Sequence, residues 1–321
     1  MNCLFVINAL SDLEPTQTTA LMIKQMAERG HAVFVAEADA ISLDGDNQIH
    51  ARVVRAERSG ELGPRIELTL RRGDLVIVRT NPARALGGPI YATLLDLLAF
   101  AGDRGVEVIN DADSLRRATS KLYASRLPAE LRPRTIVTRD AATLRRFVAQ
   151  NDGLTILKPL VGTRGTDVFQ VRGSEPNLNQ IIEVLTRSGQ AMAQEYVPEA
   201  SEGDVRVIVL DGKALAVDGH VAAVRRVPNT TVDFRSNVHA GATPQPAEYT
   251  PRLRRVVEAA APLLVADGLA LCGLDIIGDK IIEINVFSAG GLGDAGAFLG
   301  VDFIAPVLDF FERRLAQVDA A

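Results

Sequence analysis

The chain has 321 residues, 47% of them apolar and 23% charged, and 35 Lys+Arg against 40 Asp+Glu leave a net charge of −5. That length is material for two or three domains with buried cores, so no disulfide framework is needed, and the two cysteines, Cys3 and Cys272, could not build one. Mild acidity argues against nucleic acid as a partner, and no apolar run reaches the about 18 residues of a membrane span, so no membrane association is expected.

In chain order, 4–7 is a short apolar run of buried-strand type, and 18–29 carries Leu21, Ile23, Met26 and Ala27 at helical spacing before Gly30. Strands follow at 32–36 and 75–78, the second ending in the polar run Arg79-Thr80-Asn81-Pro82. A helix over 91–101 and a strand over 106–109 complete this part. Strands separated by helices imply an α/β amino-terminal domain with an open parallel sheet. Ligands of such sheets bind beyond the carboxyl ends of the strands, so 8–15 and 79–84 are candidate substrate loops, with ordinary surface connections the alternative. The start of the chain lacks a basic flank and is interrupted by Ser11-Asp12, which predicts no secretory signal and a cytoplasmic protein.

A helix is predicted over 114–126, followed by a Pro-containing transition, and the domain boundary falls there, with 1–118 on one side and 119–321 on the other. Beyond it, strands are read at 134–138, 155–158, 167–171, 191–197, 205–210 and 271–286, with helices at 141–150, 177–188 and 251–267. This second part reads as α+β.

Three features carry chemistry. In 154–171 a strand ends in Lys158-Pro159, the loop Gly162-Thr163-Arg164-Gly165 follows, and a strand returns. Glycines there allow backbone amides to approach an anion, so this is either a flap over phosphates or a plain Gly hairpin. In 273–286, Asp275, Glu283 and Asn285 interrupt a dense apolar hairpin, and buried carboxylates are costly unless paired or bound to metal. Glu283 and Asn285 share one face; Asp275 joins them if the turn is a three-residue loop, Gly278-Asp279-Lys280, whereas a two-residue turn would separate them. Three converging oxygens would suit Mg²⁺. Between these features lie Gln194-Glu195-Tyr196-Val197-Pro198, whose backbone could meet an adenine edge, and Asp204 with Arg206, two residues apart on one face of a strand. Arg225-Arg226, Arg235 and Asn237 add donors, while Cys3 and Cys272 read as packing and His220 and His239 lack partners at zinc spacing.

The order Lys121, Lys158 with its glycine flap, 194–197, Asp204/Arg206, Arg226 with Asn237, and Asp275 with Glu283-Ile284-Asn285 resembles the ATP-grasp superfamily. Within it, the chain is similar to the bacterial glutathione synthetases along nearly its whole length. The segment around Arg225-Arg226 and Arg235-Ser236-Asn237 is shared with the ribosomal-protein glutamate ligases. The resemblance implies an ATP-grasp domain of two sub-lobes and an ATP-dependent carboxylate–amine ligase acting through an acylphosphate, with γ-glutamylcysteine and glycine as leading substrates. It places Lys121, Lys158, Gly162 and Gly165 on the phosphates, Gln194, Glu195, Tyr196 and Val197 at the adenine, and Asp204 on the ribose. It gives Mg²⁺ or Mn²⁺ to Asp275, Glu283 and Asn285, transition-state charge to Arg206 and Arg226, and substrate to Asn237, Ser288, Gly290 and Gly291. A homo-oligomer is implied as well. The chain departs from those enzymes where they continue Asn-Val-Thr-Ser-Pro-Thr towards an Arg: here Asn285-Val286-Phe287-Ser288 runs into Ala289-Gly290-Gly291-Leu292-Gly293. A different acceptor, or a nucleotide-binding module without turnover, are the competing readings.

Overall fold

The computed structural model describes residues 2–83, 88–151, 153–162, 165–187, 189–229, 235 and 241–320. The amino-terminal part is built on β1 (Asn2–Ile7), α1 (Thr18–Glu28), β2 (Ala32–Leu43), β3 (Ile49–Ala56), β4 (Leu62–Thr69), β5 (Leu75–Val78), α2 (Gly88–Gly102), β6 (Glu107–Ile109) and α3 (Ala112–Arg117). Its sheet has the order β4-β3-β2-β1-β5-β6. β2, β1, β5 and β6 are parallel, whereas β3 and β4 add on antiparallel. The expected open parallel sheet is thus a mixed one. β2 runs on to Leu43 and turns back twice, and the alternation of Ile49, Ala51 and Val53 (buried) with His50 and Arg52 marks β3 as half-wet. β1 is covered on both faces: Leu4 and Val6 pack towards Leu94 and Leu98 of α2, and Cys3, Phe5 and Ile7 towards Met22 and Met26 of α1.

The helix expected over 114–126 is two pieces. α3, capped by the Asp111 side chain on Ser114 N at 2.8 Å, ends at Arg117, and Ser120 opens a separate 3₁₀ helix over Lys121–Arg126. The break delivers Lys121 to the start of a short element instead of the middle of a long one. That element is tied down by Asp267, which accepts from Tyr123 Oη at 2.7 Å and from Arg126.

Next come β7 (Thr135–Thr138), α4 (Ala141–Gln150), β8 (Thr155–Pro159), β9 (Phe169–Val171), α5 (Leu178–Thr186) and β10 (Ala191–Glu195), forming an antiparallel sheet β7-β10-β8-β9. Leu144 and Phe147 of α4 and Ile182 and Leu185 of α5 close its apolar face. The last unit holds β11 (Asp204–Leu210), β12 (Lys213–Ala214), the small hairpin β13 (Ala216–Val217) and β14 (His220–Val221), β15 (Ala223–Val227), β16 (Thr243–Pro246), α6 (Pro251–Ala266), β17 (Leu271–Ile277), β18 (Lys280–Asn285), α7 (Leu292–Leu299) and α8 (Ile304–Ala320). Its main sheet runs β16-β15-β11-β17-β18, with β12 on β11. Val256, Ala260 and Leu264 of α6 pack against Val205, Val207 and Val209 of β11. α8 returns to the first sheet beside α1, where Arg29 binds Asp309 at 2.7 Å.

The two sheets are clamped by Asn110, which is buried; its Nδ2 donates to Leu271 O (2.8 Å) and Val286 O (2.7 Å), and its Oδ1 accepts from Leu271 N (2.8 Å). Among the described residues no helix is long and apolar enough to cross a membrane.

Candidate active site

A cleft of about 770 Å³ opens where the amino-terminal sheet, the antiparallel sheet and the last sheet meet. It is lined by Lys121, Lys158, Arg206, Arg226, Asp275 and Glu283, among others. The hairpin β17–β18 supplies its floor. Ile277 pairs with Lys280, so the turn is the two-residue Gly278-Asp279 and not the three-residue loop expected; Gly278 has φ 61°. A regular hairpin on that turn would put Glu283 on the opposite face from Asp275. Instead the register shifts between Asp275 and Ile276, a β-bulge that absorbs one residue, and Asp275 pairs with Glu283 and Gly273 with Asn285. The three oxygen-bearing side chains therefore do share a face. The odd residue that a shared face requires sits in the bulge and not in the turn.

Asp275 is 1% exposed and fully engaged. Arg206 reaches it in bidentate fashion, Nε to Oδ1 at 2.7 Å and Nη2 to Oδ2 at 2.8 Å. Arg226 Nη2 lies 2.7 Å from Oδ2, and Asn285 Nδ2 donates to Oδ2 at 3.1 Å. Arg226 also binds Asp204 with both arms, Nε and Nη2 each at 2.7 Å. Two carboxylates and two guanidiniums thus form a charge-balanced buried cluster, each pair held by planar forks. Burial works to raise Asp275, but Arg206 and Arg226 outweigh it and hold its carboxyl below the usual range. Asp204 is pushed the other way, by burial and by the charge of Asp275. In the structure Arg206, Arg226 and Asp204 are therefore each engaged by a partner within the protein.

The lysines arrive from other elements. Lys158, at the end of β8, is 7% exposed and donates to Gln194 Oε1 on β10 at 3.0 Å. Burial lowers its ammonium to about 8, with Glu283 and Asp275 pulling upward and Lys121 downward, so all four charges share one field. Lys121 donates to Gly162 O at 2.8 Å and lies 3.7 Å from Glu283 Oε1. It joins the flap to the carboxylate hairpin. Gly162 and Gly165 line the cleft, and Gly165 O accepts from Arg235 Nη1 at 2.6 Å, tying the flap to the loop after β15. Thr163, Arg164, Asn237 and His239 lie outside the described residues.

Gln194, Glu195, Tyr196 and Val197 all face the cleft. Glu195 N is already given to Arg134 O (2.9 Å) and Tyr196 N to Leu154 O (3.2 Å), so those two amides are not what this hinge offers a ligand. Ser288, Gly290 and Gly291 also line it. The glycine run is more than a connection: Gly291 caps α7, and a Cβ on Gly293 would sit 2.6 Å from Thr16 O, so its lack of a side chain lets α7 dock on the loop before α1. Sequence reasoning missed α7 here. It also missed Arg79, a buried arginine on the same cleft wall, although the loop that Arg79 opens was singled out.

Residues 1–116 match the prokaryotic glutathione synthetase N-terminal domain, and residues 120–298 match the prokaryotic glutathione synthetase ATP-grasp domain. The chain belongs to the prokaryotic glutathione synthetase family. The glutathione synthetase of Shewanella oneidensis is 34% identical over 320 residues, covering 97% of this chain and 98% of that one. Among solved structures, the D-cycloserine synthetase DcsG has the same fold with a TM-score of 0.66 at 15% identity, covering 96% of this chain and 99% of its own. The ATP-grasp ligase PsnB, solved with its minimal precursor, Mg and ADP, gives 0.62 at 18% identity over 98% of each chain. The protein is an ATP-dependent carbon–nitrogen ligase of the ATP-grasp type, glutathione synthetase-like.

Proposed function

We propose that this family member joins the cysteinyl carboxylate of γ-glutamylcysteine to the amine of glycine. A carboxylate oxygen attacks the γ-phosphorus of ATP, the bond to the bridging oxygen breaks, and ADP leaves. The glycine nitrogen then attacks the acylphosphate carbon and loses its proton as the carbon–oxygen bond to phosphate breaks. Lys121 and Lys158 hold the phosphates, the 194–197 hinge holds the adenine, and Asp204 meets the ribose through lone pairs that Arg226 does not use. Arg206 and Arg226 pivot from the carboxylates towards the transferred phosphoryl group and the oxyanion, which suits chemistry governed by positioning and charge. Asp275, Glu283 and the Asn285 carbonyl are hard oxygen donors on one face, the set Mg²⁺ prefers, and that ion supplies charge neutralisation at the β- and γ-phosphates when bound. Gly162, Gly165 and Thr166, which line the cleft, help keep water from the acylphosphate.

The observation that supports this most is the bulge that sets Asp275 opposite Glu283, facing the two lysines. A ligase with a different acceptor is the second reading, favoured by the run Phe287-Ser288-Ala289-Gly290-Gly291 in place of the Thr-Ser-Pro-Thr expected there. Cytoplasmic location agrees with two free, buried cysteines, and the division near residue 118 and a homo-oligomeric state complete the reading. Phosphate release with γ-glutamylcysteine and glycine, then with a panel of amino acids and dipeptides, tests it. Turnover with the first pair is expected, and turnover only with other pairs overturns it.

A further inference from the structure

Lys121 opens a 3₁₀ helix of six residues, Lys121–Arg126. Helices of this kind have poor hydrogen-bond geometry and seldom run past about three or four residues, so one of this length needs fastening from outside. On the cleft side, Lys121 N donates to Leu160 O at 2.9 Å and the ammonium donates to Gly162 O. On the other side the fastening is one carboxylate, Asp267, which is 9% exposed and does not line the cleft.

Asp267 caps the end of α6. Its Oδ2 accepts from Tyr123 Oη at 2.7 Å and from Arg126, and its Oδ1 accepts from Arg117 Nη2 at 3.4 Å. Both arginine side chains are half exposed, so water serves them nearly as well as the carboxylate does. Tyr123 is different. It is buried, it follows Lys121 by two residues, and Asp267 is the one hydrogen-bond partner of its hydroxyl among the described residues. Burial and the charge of Asp267 raise the Tyr123 phenol, which keeps it a donor. Tyr123 lines the cleft, as Lys121 does.

The turn that carries Asp267 also leads into the carboxylate hairpin. Gly268, with φ 60°, gives its O to Asp111 N at 3.3 Å, and a Cβ on it would sit 3.0 Å from Asp111 Cβ. At Leu271 the chain enters β17, the strand of Asp275. One turn therefore touches the cap of α3, the lysine helix and the root of the acid strand. Asp267 is the side chain that ties the lysine helix to that turn.

We propose that Asp267 is a positioning residue for Lys121: through the Tyr123 hydroxyl it fixes where the ammonium stands relative to Asp275 and Glu283, and so where it meets a nucleotide phosphate. This goes beyond the ligase reading but rests on its placing of Lys121 at the phosphates.

The test is the affinity for AMP-PNP with excess Mg²⁺, read by isothermal titration calorimetry on the full chain, so that neither the acid nor the amine substrate has to be known. Lys121→Met loses a charge-assisted contact and should weaken binding about 10–100-fold. Asp267→Ala leaves the lysine in place but loosens its helix, and should weaken binding at least about fivefold. Tyr123→Phe should do the same, although Asp267 keeps both arginines. Asp267→Asn, whose amide oxygen still accepts from Tyr123, should stay within about twofold of wild type. In a Lys121→Met background, Asp267→Ala should add less than about twofold, because no ammonium is left to place; a merely structural carboxylate would add its full loss there. If Asp267→Ala does not fold, Tyr123→Phe is carried through the same cycle. Wild-type affinity in Asp267→Ala or Tyr123→Phe, an Asp267→Asn as weak as Asp267→Ala, or losses that add fully to that of Lys121→Met overturn the proposal. Wild-type affinity in Lys121→Met is a different failure: it removes Lys121 from the phosphates, and the positioning role falls with it.

Discussion

Replacing Arg226 by Met keeps most of the stem's volume and removes the guanidinium from the centre of the charge cluster. Arg206 stays on Asp275, but Asp204, 3% exposed, loses the only cation hydrogen-bonded to it among the described residues. Leaving one partner of a buried pair uncompensated costs about 3–5 kcal/mol. At ~2–4 °C per kcal/mol, the melting temperature should fall by ~6–20 °C at pH 8. The pH dependence follows from the sign of the shift. Asp204 is already raised by burial and by Asp275, and without Arg226 it rises further. A carboxyl with a raised folded pKa contributes stability that is fully present below its unfolded value, about 3.9, and lost as pH rises through the folded one. The gap between Arg226→Met and wild type should therefore narrow at pH 5 and widen at pH 8. Arg226→Met/Asp204→Asn removes the stranded charge and should recover most of the loss. Thermal melts followed by circular dichroism on the wild type, both single variants and the double variant measure this. A single variant within about 1 kcal/mol of wild type at pH 8, or a double variant no better than it, would refute the assignment of a charge-balanced cluster.

Three further outcomes are expected. Because free Lys158 loses its proton near pH 8, kcat/KM for ATP should decline above that pH, and Lys158→Arg should move the decline upward; a flat wild-type profile to pH 9.5 would contradict it. Glu283 is partly exposed with one long ion pair, so Glu283→Gln should change stability by less than about 1 kcal/mol. The same variant should cut phosphate release by roughly a hundredfold or more, and turnover within tenfold of wild type would remove Glu283 from the metal set. Gly203 has φ 91°, and a Cβ there would meet Arg226 O at 2.2 Å, so Gly203→Ala should cost at least about 2 kcal/mol by chemical denaturation.

What the sequence disclosed depended on how local each signal was. β5 and α4 fall on the predicted residues because an apolar run at Leu75–Val78 and an Asp140 cap before Ala141–Gln150 are complete in themselves. The cleft lysines, arginines and carboxylates were legible because their order along the chain resembles the ATP-grasp superfamily, and the structure brings them to one cleft. The partners of Arg206, Arg226 and Asp204 were not, since which carboxylate each guanidinium meets is decided by strand neighbours β15, β11 and β17, distant in sequence. The bulge that rescues the Asp275–Glu283 register leaves no mark in composition. β3 carries a signal of its own, the alternation Ile49-His50-Ala51-Arg52-Val53, weaker than the βα pattern around it. Arg79 reads as one more loop arginine until burial shows it without a counter-charge.

The most direct measurement of the central claim is the fate of the carboxylate oxygen. With the cysteinyl carboxylate of γ-glutamylcysteine labelled with ¹⁸O, and ATP and glycine present, mass spectrometry of the released phosphate should find one label per phosphate, carried over from the acylphosphate. Unlabelled phosphate accompanying amide formation would contradict phosphoryl transfer to the acid in this cleft.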